Sequence, residues 1–437
     1  MAGEWREVKL GEVVSLNPDT IGGDWPYSYI KYIDISSVGE GLILEPPQVL
    51  RLHEAPSRAK RLVQEGDTVL STVRPGRRSM FFVKQADPEW VVSTGFAVLR
   101  PRKECIEPRY LYACVYHRAF TRAFTQFLVR REKGAAYPAV LPEDIADAVI
   151  KLPPLPEQRA IAHILGTLDD KIELNRRTSE TLEAMARALF KSWFVDFEPV
   201  RAKCRGDLDG RPRWQRGGGA NHDSPQQPGL PAHLYDLFPD RLVDSELGEI
   251  PEGWRVGNLG DLAEVTSGKR PNRVYPEPQP YASIPLWGGN GPMGYVTEPL
   301  YSTPILLTGR VGTLGSVFRI STPCWPSDNT LVVIAREKIA IEFLYFQMKR
   351  FDYNALNRGS TQPLLTQTDL SGQDLLLPSN SLLSEFHTHV STYFAKLDEA
   401  MNESRTLAAL RDALLPKLIS GELRVRDAER FLEDRGL

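Results

Sequence analysis

The sequence consists of two related halves, and this internal repeat limits the chain to a fold that is built twice. Four residues recur 225 positions later: Gly134 as Gly359, Pro138 as Pro363, Asp144 as Asp369 and Pro153 as Pro378. A spacing of 225 residues in a chain of 437 is far longer than the period of solenoid repeats, so each half can bury a core of its own. The repeat therefore predicts two similar but non-identical domains.

Each half opens with the same short motif, Trp-Arg followed by Leu-Gly, at Trp5 and at Trp254. Apolar residues at helical spacing predict a helix within each half, at 110–127 and 341–356. Segments rich in β-branched and aromatic residues predict strands. These segments are 67–74, 81–84 and 90–99 in the first half and 305–310, 316–320 and 330–334 in the second. Each half is therefore predicted to be a mixed α+β domain.

A long amphipathic helix follows each predicted domain. Apolar residues recur at intervals of four and three residues over 161–193 and again over 386–418, and Gly421 ends the second run. Polar Asn175 and Ser179 interrupt the first apolar stripe. About 40 residues form a helix of about 60 Å, and a narrow apolar stripe of that length is typical of a helix with a helical partner. We expect the two helices to pair as an antiparallel coiled coil; packing of each helix on its own domain is the alternative.

These patterns divide the chain into six segments. The predicted order is a first domain at 1–153, a long helix at 154–197, a linker at 198–250, a second domain at 251–378, a second long helix at 379–421 and a C-terminal tail at 422–437. The linker is rich in glycine, proline and polar residues around 216–229, which favours a flexible connection.

Charge and cysteine content exclude some classes of protein. The net charge of −3 gives no global indication of nucleic-acid binding, so any such contact must come from local basic clusters. Four scattered cysteines without a C-x-x-C motif fit reduced thiols, and no metal site is predicted. The N-terminus lacks the pattern of a signal peptide, and no run approaches the roughly 20 apolar residues of a membrane span. We expect a cytoplasmic protein without membrane contact.

Catalytic motifs are missing from the sequence. The segment 268–270, Gly-Lys-Arg, lacks the upstream glycine and the following Ser or Thr of a phosphate-binding loop. His387 and His389 have no Glu at the spacing of zinc proteases. The chain is therefore predicted to catalyse no reaction by itself and to hold no cofactor.

Local clusters of basic and amide side chains are the candidates for DNA contact. Guanidinium and ammonium groups bind phosphates, arginine also pairs with guanine, and Asn or Gln pairs with adenine. The candidates in the first half are Arg74, Arg77, Arg78, Arg130, Arg131, Lys133 and Tyr137, and those in the second half are Lys269, Arg270, Arg273, Asn290, Arg310, Arg358 and Gln362. A solvated turn or helix face is the alternative for each cluster. The loops differ between the halves while the framework residues match, as expected for two domains that read different sequences.

At these residues the chain resembles the specificity subunit of type I restriction-modification systems. The matching stretches are Leu152-Pro-Pro-Leu-Pro-Glu-Gln-Arg, Leu168-Asp-Asp-Lys-Ile-Glu-Leu-Asn, Leu189-Phe-Lys-Ser-Trp-Phe-Val-Asp-Phe-Glu-Pro-Val and Leu415-Pro-Lys-Leu-Ile-Ser-Gly-Glu-Leu. The two Trp-Arg openings and the segment Trp287-Gly-Gly-Asn-Gly-Pro-Met-Gly-Tyr also fit. The resemblance covers essentially the whole chain.

The resemblance implies two target recognition domains that read the halves of an asymmetric bipartite site in double-stranded DNA. It also implies that the long helices bind two adenine-N6 methyltransferase subunits, and that restriction subunits with translocase activity join them. S-adenosylmethionine, ATP and Mg²⁺ would then belong to those partners. The implied docking residues are Glu157, Gln158, Asp169, Lys171, Glu385, Asp398 and Glu399. The alternatives are the recognition subunit of another methylation-based phage-defence complex and a two-headed scaffold that binds only protein.

Overall fold

The computed structural model describes residues 5–116, 139–204, 232–359 and 362–433. The chain divides into two compact units that interleave in sequence. The first unit comprises Met1–Arg176 and Asn402–Leu437, and the second comprises Arg177–Met401. Each unit is described separately below. The sequence segments 1–153 and 251–378 are called domain 1 and domain 2.

The described residues of domain 1 form two four-stranded sheets and a two-stranded ribbon. Its strands are β1 Arg6–Lys9, β2 Val14–Leu16, β3 Tyr29–Ile33, β4 Gln48–Arg51, β5 Ala59–Leu62, β6 Thr68–Ser71, β7 Met80–Phe82, β8 Trp90–Ser93, β9 Phe96–Pro101 and β10 Val149–Leu152. The main sheet has the order β2-β9-β6-β7, and the second sheet has the order β4-β3-β8-β5, in which β3 and β8 are parallel. The ribbon pairs β1 with β10 and so joins the two ends of the domain. Its helices are α1 Leu10–Val13, α2 Pro108–Tyr116 and α3 Pro142–Ala146.

Domain 2 repeats this topology. Its strands are β13 Arg255–Asn258, β14 Ala263–Ser267, β15 Ile284–Gly288, β16 Gly291–Val296, β17 Ile305–Gly309, β18 Val317–Ile320, β19 Trp325–Pro326, β20 Thr330–Ala335 and β21 Asp374–Leu377, and its helices are α7 Leu259–Leu262, α8 Ile341–Met348 and α9 Gln367–Ser371. The main sheet β14-β20-β17-β18 matches that of domain 1, the second sheet has the order β16-β15-β19, and β13 pairs with β21. The strands β15 and β19 are parallel, as β3 and β8 are. Two mixed domains with one topology confirm the predicted α+β repeat.

Several predicted elements have different bounds in the structure. The single strand predicted at 90–99 is two strands, β8 and β9, which belong to different sheets. The chain leaves one sheet and enters the other at Gly95, where a Cβ atom would lie only 2.4 Å from Ile35 Cδ1. The helix predicted at 341–356 ends at Met348, and in the turn that follows the Asp352 carboxylate accepts the N–H groups of Asn354 and Ala355. The helix predicted at 110–127 spans Pro108–Tyr116, and residues 117–138 lie outside the described part of the chain.

The two long helices are α4 Leu155–Phe194 and α10 Asn380–Ser420. The chain turns into α10 at Ser379, whose hydroxyl accepts the Leu382 N–H at 3.3 Å, and leaves it at Gly421, which has a φ of +78°. That backbone conformation favours glycine at the end of a helix.

The long helices pair with each other in both compact units. In the first unit the Asn175 amide of α4 donates to Glu403 of α10 at 2.6 Å. In the second unit Trp193 of α4 packs on Phe386 of α10, with ring centroids 5.9 Å apart. The beginning of α4 thus meets the end of α10, and the end of α4 meets the beginning of α10. This arrangement confirms the predicted antiparallel pairing. The polar Asn175 side chain is buried, and its amide is hydrogen-bonded to Glu403.

The helices also belong to the hydrophobic core of each unit. In the first unit Ile161 and Leu165 of α4 and Leu414 of α10 are buried together with Tyr110 of α2. In the second unit an aromatic cluster joins the two helices to α8 of domain 2; its members include Phe190, Trp193, Phe194, Phe343, Phe346 and Phe386. Each domain is therefore built on a platform formed by both long helices.

The described part of the linker packs within the second unit. It contains α5 Glu198–Cys204, α6 Ala232–Tyr235 and a hairpin of β11 Leu242–Ser245 and β12 Gly248–Pro251. The ring of Phe238 packs edge-on against Trp193, at 5.2 Å between centroids. A last helix, α11 Val425–Glu433, follows α10. Among the described helices, none is long and apolar enough to cross a membrane.

Candidate nucleic-acid interface

Two backbone hydrogen bonds join the loops at one end of the main sheet of domain 1. The Thr72 N–H donates to the Gly95 carbonyl at 2.8 Å, and the Val140 N–H donates to the Thr72 carbonyl at 3.0 Å. The first bond fastens the end of β6 to the crossover between the two sheets. The second fastens it to the segment that carries the repeated framework residues.

Domain 2 has the same two bonds. The Arg310 N–H donates to the Asn329 carbonyl, and the Leu365 N–H donates to the Arg310 carbonyl, both at 2.8 Å. Thr72 and Arg310 therefore occupy equivalent positions in the two domains. We call this surface the loop edge. It comprises residues 34–36, 72–78, 93–95 and 139–140 in domain 1 and residues 288–290, 309–315, 327–329 and 362–365 in domain 2.

The arginine turn of domain 1 lies at its loop edge, between β6 and β7. Arg74 and Arg77 are exposed, and the Arg77 N–H donates to the Arg74 carbonyl at 2.9 Å. Arg78 differs from them, because its guanidinium donates to the Tyr116 carbonyl at 3.0 Å and lies 2.8 Å from a Glu40 carboxylate oxygen. Only 17% of its side chain is exposed. Arg78 thus fastens the turn to the body of domain 1, and its contact with DNA stays a prediction.

Five of the candidates in domain 2 lie at or beside its loop edge. Asn290 is exposed, and its amide donates to the Thr313 hydroxyl at 3.1 Å. Arg310 is half-buried, and its Nη1 lies 3.4 Å from the Ser267 hydroxyl. Exposed Gln362 lies in the segment 362–365, where the Pro363 carbonyl accepts the Gly312 N–H at 2.9 Å. Exposed Lys269 is tied to β19, because its N–H donates to the Pro326 carbonyl and its carbonyl accepts the Trp325 indole N–H. Arg270 is the exposed neighbour of Lys269.

The loops of domain 2 are packed too closely for side chains at two glycines. A Cβ atom at Gly309 would lie 2.0 Å from the Thr313 carbonyl oxygen, and one at Gly359 would lie 1.8 Å from the Gln362 carbonyl oxygen. Such distances do not occur without a backbone shift, so glycine is required at both sites. The close packing holds the polar side chains that these loops carry in defined places.

Two further candidates of domain 2 contact other groups. Arg358 pairs with Asp369, at 2.8 Å from Nη2 to Oδ1, and this pair links the two repeated framework segments. The hydrogen bond from Arg358, with a second from Thr366, holds the pKa of Asp369 below its usual range. The Arg273 guanidinium lies over the ring of Tyr275 at 4.9 Å and so borders the second sheet.

One polar cluster at the loop edge of domain 1 was not predicted from the sequence. Arg58 stands immediately before β5, and its guanidinium contacts Tyr32 and Asp34 at the end of β3. Arg58 belongs to no recognised motif, and its two partners lie more than 20 residues away in the sequence, so the sequence offers no signal for this cluster. The candidates Arg130, Arg131, Lys133 and Tyr137 lie outside the described residues.

The predicted partner-binding residues differ in their exposure. Glu399 is exposed, Glu385 is half-buried, and Lys171 lies 3.5 Å from Glu403 with much of its side chain in solvent. Three others make contacts within the chain: Glu157 accepts the Trp5 indole N–H at 3.1 Å, Asp169 pairs with Arg411 at 2.8 Å, and Asp398 pairs with Arg319 at 3.2 Å.

Gln158 is not at the surface, and its prediction as a partner contact is corrected. Its side chain is 1% exposed, and its amide is hydrogen-bonded to backbone groups of Glu107, Cys105 and Pro153. The amide stabilises the start of α4 from within the protein.

Comparisons with known proteins agree with this architecture. The family model described as "Type I restriction modification DNA specificity domain" matches residues 2–184 and 251–385. The chain is 27% identical to the specificity subunit of the type I restriction enzyme HindI from Haemophilus influenzae, over 96% of this chain and 100% of that protein. It is 26% identical to the MjaIX specificity subunit from Methanocaldococcus jannaschii, over 84% of this chain and 80% of that protein.

A solved structure supports the fold independently of close sequence similarity. The crystal structure of the type I restriction-modification S subunit from M. genitalium superposes with a TM-score of 0.52 at 14% identity, over 95% of this chain and 96% of that chain. The family model covers both domains and the beginnings of both long helices. The chain therefore belongs to the family of DNA specificity subunits of type I restriction-modification systems.

Proposed function

We propose that this chain reads an asymmetric bipartite DNA site, one half with each domain, and that it catalyses no reaction itself. The observation that carries the proposal is the loop edge. Thr72 and Arg310 are held by the same backbone bonds, yet the side chains around them differ between the domains. Two domains that recognise different half-sites need the same backbone framework with different polar side chains, and the loop edge has both properties.

The division of labour among these side chains follows from their chemistry. Exposed Arg74 and Arg77 in domain 1, and Lys269 and Arg270 in domain 2, bind backbone phosphates and fix the register on the duplex. Asn290 and Gln362 present amides, which pair with adenine through its N6 and N7 groups. Arg310 presents a guanidinium at the position where domain 1 has a threonine, so the two domains select different base pairs.

The long helices have two roles in this proposal. They set the distance between the half-sites, and they bind two adenine-N6 methyltransferase subunits. Exposed apolar residues on α4, Leu174 and Met185, and Met401 on α10 support a protein-binding role, because such side chains gain from burial against a partner. On the same two helices Glu399 is exposed, and Glu157, Lys171 and Glu385 are partly exposed.

The chemistry of modification and restriction belongs to the partners. Among the described residues, no group of three or more His, Cys, Asp or Glu side chains is placed to hold a metal ion. In this proposal S-adenosylmethionine, ATP and Mg²⁺ belong to the methyltransferase and restriction subunits. Methylation of an adenine requires the base to leave the stack, so this chain positions the partner enzyme beside a flipped base. Because the substrate is cellular or invading DNA, the complex works in the cytoplasm.

A reciprocal domain exchange tests the proposal. Residues 1–152 are replaced by the equivalent domain of a relative with a known target, and the chain is expressed with its methyltransferase partner. Sequencing of N6-methyladenine should show a change in one half of the recognised site only. Exchange of residues 251–378 is the matched control and should change the other half. A change of both halves by either exchange would contradict the assignment of one half-site to each domain.

Salt dependence separates DNA reading from a scaffold that binds only protein. Binding through phosphates releases counterions, so the affinity of the complex for DNA should fall steeply between about 50 and 200 mM salt. A complex that binds every duplex alike, or none, would exclude sequence-specific recognition.

A further inference from the structure

The Arg58 guanidinium is held in one orientation by two side chains of domain 1. Its Nε donates to the Tyr32 hydroxyl at 3.0 Å, and its Nη2 lies 2.6 Å from Asp34 Oδ2. The Tyr32 hydroxyl in turn donates to the same Asp34 oxygen at 2.9 Å. Tyr32 is buried, whereas 60% of the Arg58 side chain is exposed. An exposed arginine with two fixed contacts is preorganised for a partner outside the chain.

The contacts leave one end of the guanidinium available. Arginine has five N–H donors in a planar fork. Tyr32 occupies the donor on Nε, and Asp34 lies beside Nη2. Nη1 makes no hydrogen bond with the described part of the chain. The end formed by Nη1 and the outer hydrogen of Nη2 is the one that pairs with O6 and N7 of guanine.

The backbone places Arg58 at the loop edge. The Thr94 N–H donates to the Arg58 carbonyl at 2.8 Å. The next residue, Gly95, accepts both the N–H and the hydroxyl of Thr72, at 2.8 and 2.9 Å. Thr72 lies two residues before Arg74, the first exposed arginine of the turn. Arg58 is therefore attached to the same surface as the arginines assigned above to DNA phosphates.

The internal repeat identifies the equivalent place in domain 2. The parallel strands β3 and β8 pair Ile33 with Val92, and the parallel strands β15 and β19 pair Trp287 with Pro326. The segment after β3, which carries Asp34, thus corresponds to the segment after β15. That segment carries Asn290, the amide held by the Thr313 hydroxyl.

In both domains, therefore, this segment takes part in fixing the orientation of a polar side chain. In domain 1 Asp34 orients Arg58, and in domain 2 the Thr313 hydroxyl orients Asn290. We infer that Arg58 reads a guanine in the half-site of domain 1, with Tyr32 and Asp34 as its positioning residues. This inference rests on the proposed DNA recognition. Fixing the guanidinium before binding lowers the entropic cost of pairing with the base. The Asp34 carboxylate also weakens the attraction of Arg58 for phosphates, so its contribution depends on the base that it meets.

The test measures binding at each base pair separately. The target is first mapped by sequencing of N6-methyladenine produced by the full chain with its methyltransferase subunits. Duplexes with one substituted base pair at each position of the site are then compared for wild type and Arg58→Gln. We expect about a tenfold to hundredfold loss of affinity for the mapped site. The loss should vanish for the duplex that is substituted at one G·C pair of the domain 1 half-site.

Two further variants separate reading from folding. Arg51→Gln is the matched control, because Arg51 is an exposed arginine at the opposite end of the same sheet, paired with Tyr29 at the start of β3. It should leave every affinity unchanged. Asp34→Asn keeps the guanidinium and weakens its orientation, so it should reduce discrimination at the same base pair as Arg58→Gln.

The outcomes distinguish this inference from the proposed function. A wild-type complex without sequence preference would overturn the proposed function itself. A selective wild-type complex that Arg58→Gln leaves unchanged would overturn only the role of Arg58. So would an equal loss on all duplexes, which indicates a phosphate contact, or a loss that follows a lowered melting temperature of the variant.

Discussion

Gln158 joins the start of α4 to the loop that precedes α2. Its Oε1 accepts the Glu107 N–H at 2.9 Å, and its Nε2 donates to the carbonyls of Pro153 at 2.7 Å and Cys105 at 3.2 Å. All three bonds use backbone groups that a helix start and a loop otherwise leave without partners. Gln158, a polar residue in the first turn of α4, is therefore a core residue of the first unit.

Loss of this amide should destabilise the protein by at least about 2 kcal/mol, since Gln158→Leu leaves buried backbone groups without partners. Urea unfolding of the variant measures the effect. Arg159→Leu changes the exposed neighbouring residue and should stay within about 0.5 kcal/mol of wild type. Equal stability of Gln158→Leu and wild type would show that water replaces the three bonds.

At the scale of elements, α2 and α8 occupy equivalent places but carry opposite charges to the long helices. The second residue of α2, Arg109, pairs with Asp170 of α4 at 2.8 Å. The second residue of α8, Glu342, is buried and contacts His387 of α10 at 2.6 Å. The buried Glu342 carboxylate also pairs with Arg319 of its own domain, at 3.3 Å. Each domain thus contacts a long helix through the second residue of its helix, but the charge of that residue differs.

The other ends of these two helices show the reverse arrangement. Tyr116, the last residue of α2, lies beside the guanidinium of Arg411 of α10, at 5.2 Å from its ring centre. Lys349, which follows α8, pairs with Glu183 of α4 at 2.6 Å. A cation therefore comes from the long helix in the first unit and from the domain in the second.

The contribution of the Arg109–Asp170 contact to stability is expected to depend on pH. Burial raises the pKa of Asp170, but hydrogen bonds from Arg109 and Lys84 outweigh it, and the net pKa is below the ordinary value. A carboxyl group whose pKa is lowered by folding stabilises the folded state at pH values above its ordinary pKa of about 4. That stabilisation is lost as the pH falls through the pKa of the folded state.

Asp170→Asn should therefore be less stable than wild type at pH 7, by under about 1 kcal/mol because the pair is half exposed. The difference should shrink as the pH falls below about 4. Thermal unfolding from pH 3 to pH 7 measures it. In an Arg109→Gln background the Asp170→Asn difference should be smaller at every pH, and an undiminished difference would assign the effect to Lys84 alone.

The sequence predicted long, periodic elements best. Both long helices begin and end close to their expected bounds, because an apolar stripe of about 40 residues identifies a helix without tertiary information. The break between β8 and β9 was missed, since the segment is apolar on both sides of it and the crossover is held by backbone bonds to Arg58 and Thr72, which lie far away in the sequence. The arginine turn was located correctly. The inward turn of Arg78 was not, because its partners Glu40 and Tyr116 come from distant segments.

At the scale of the whole molecule, each compact unit uses both halves of the sequence. The first unit takes domain 1 and the beginning of α4 from the N-terminal half, and the end of α10 with α11 from the C-terminal half. Leu407, Leu414 and Leu418 of α10 are buried in the core of this unit. A fragment that ends in the linker lacks these side chains and leaves apolar residues of α4 and α2 exposed.

We therefore expect neither half to be stable alone. A chain that is cut within residues 205–231 gives two fragments, and each should be recovered in soluble form mainly when both are expressed together. The fragment pair should copurify and melt close to the intact chain, because the cut leaves every described core contact in place. Leu418→Asp in the C-terminal fragment buries a charge in the core of the first unit and should prevent copurification, whereas Arg405→Asp at an exposed position of the same helix should not. A monomeric N-terminal fragment with the stability of the intact chain would mean that domain 1 needs no part of α10.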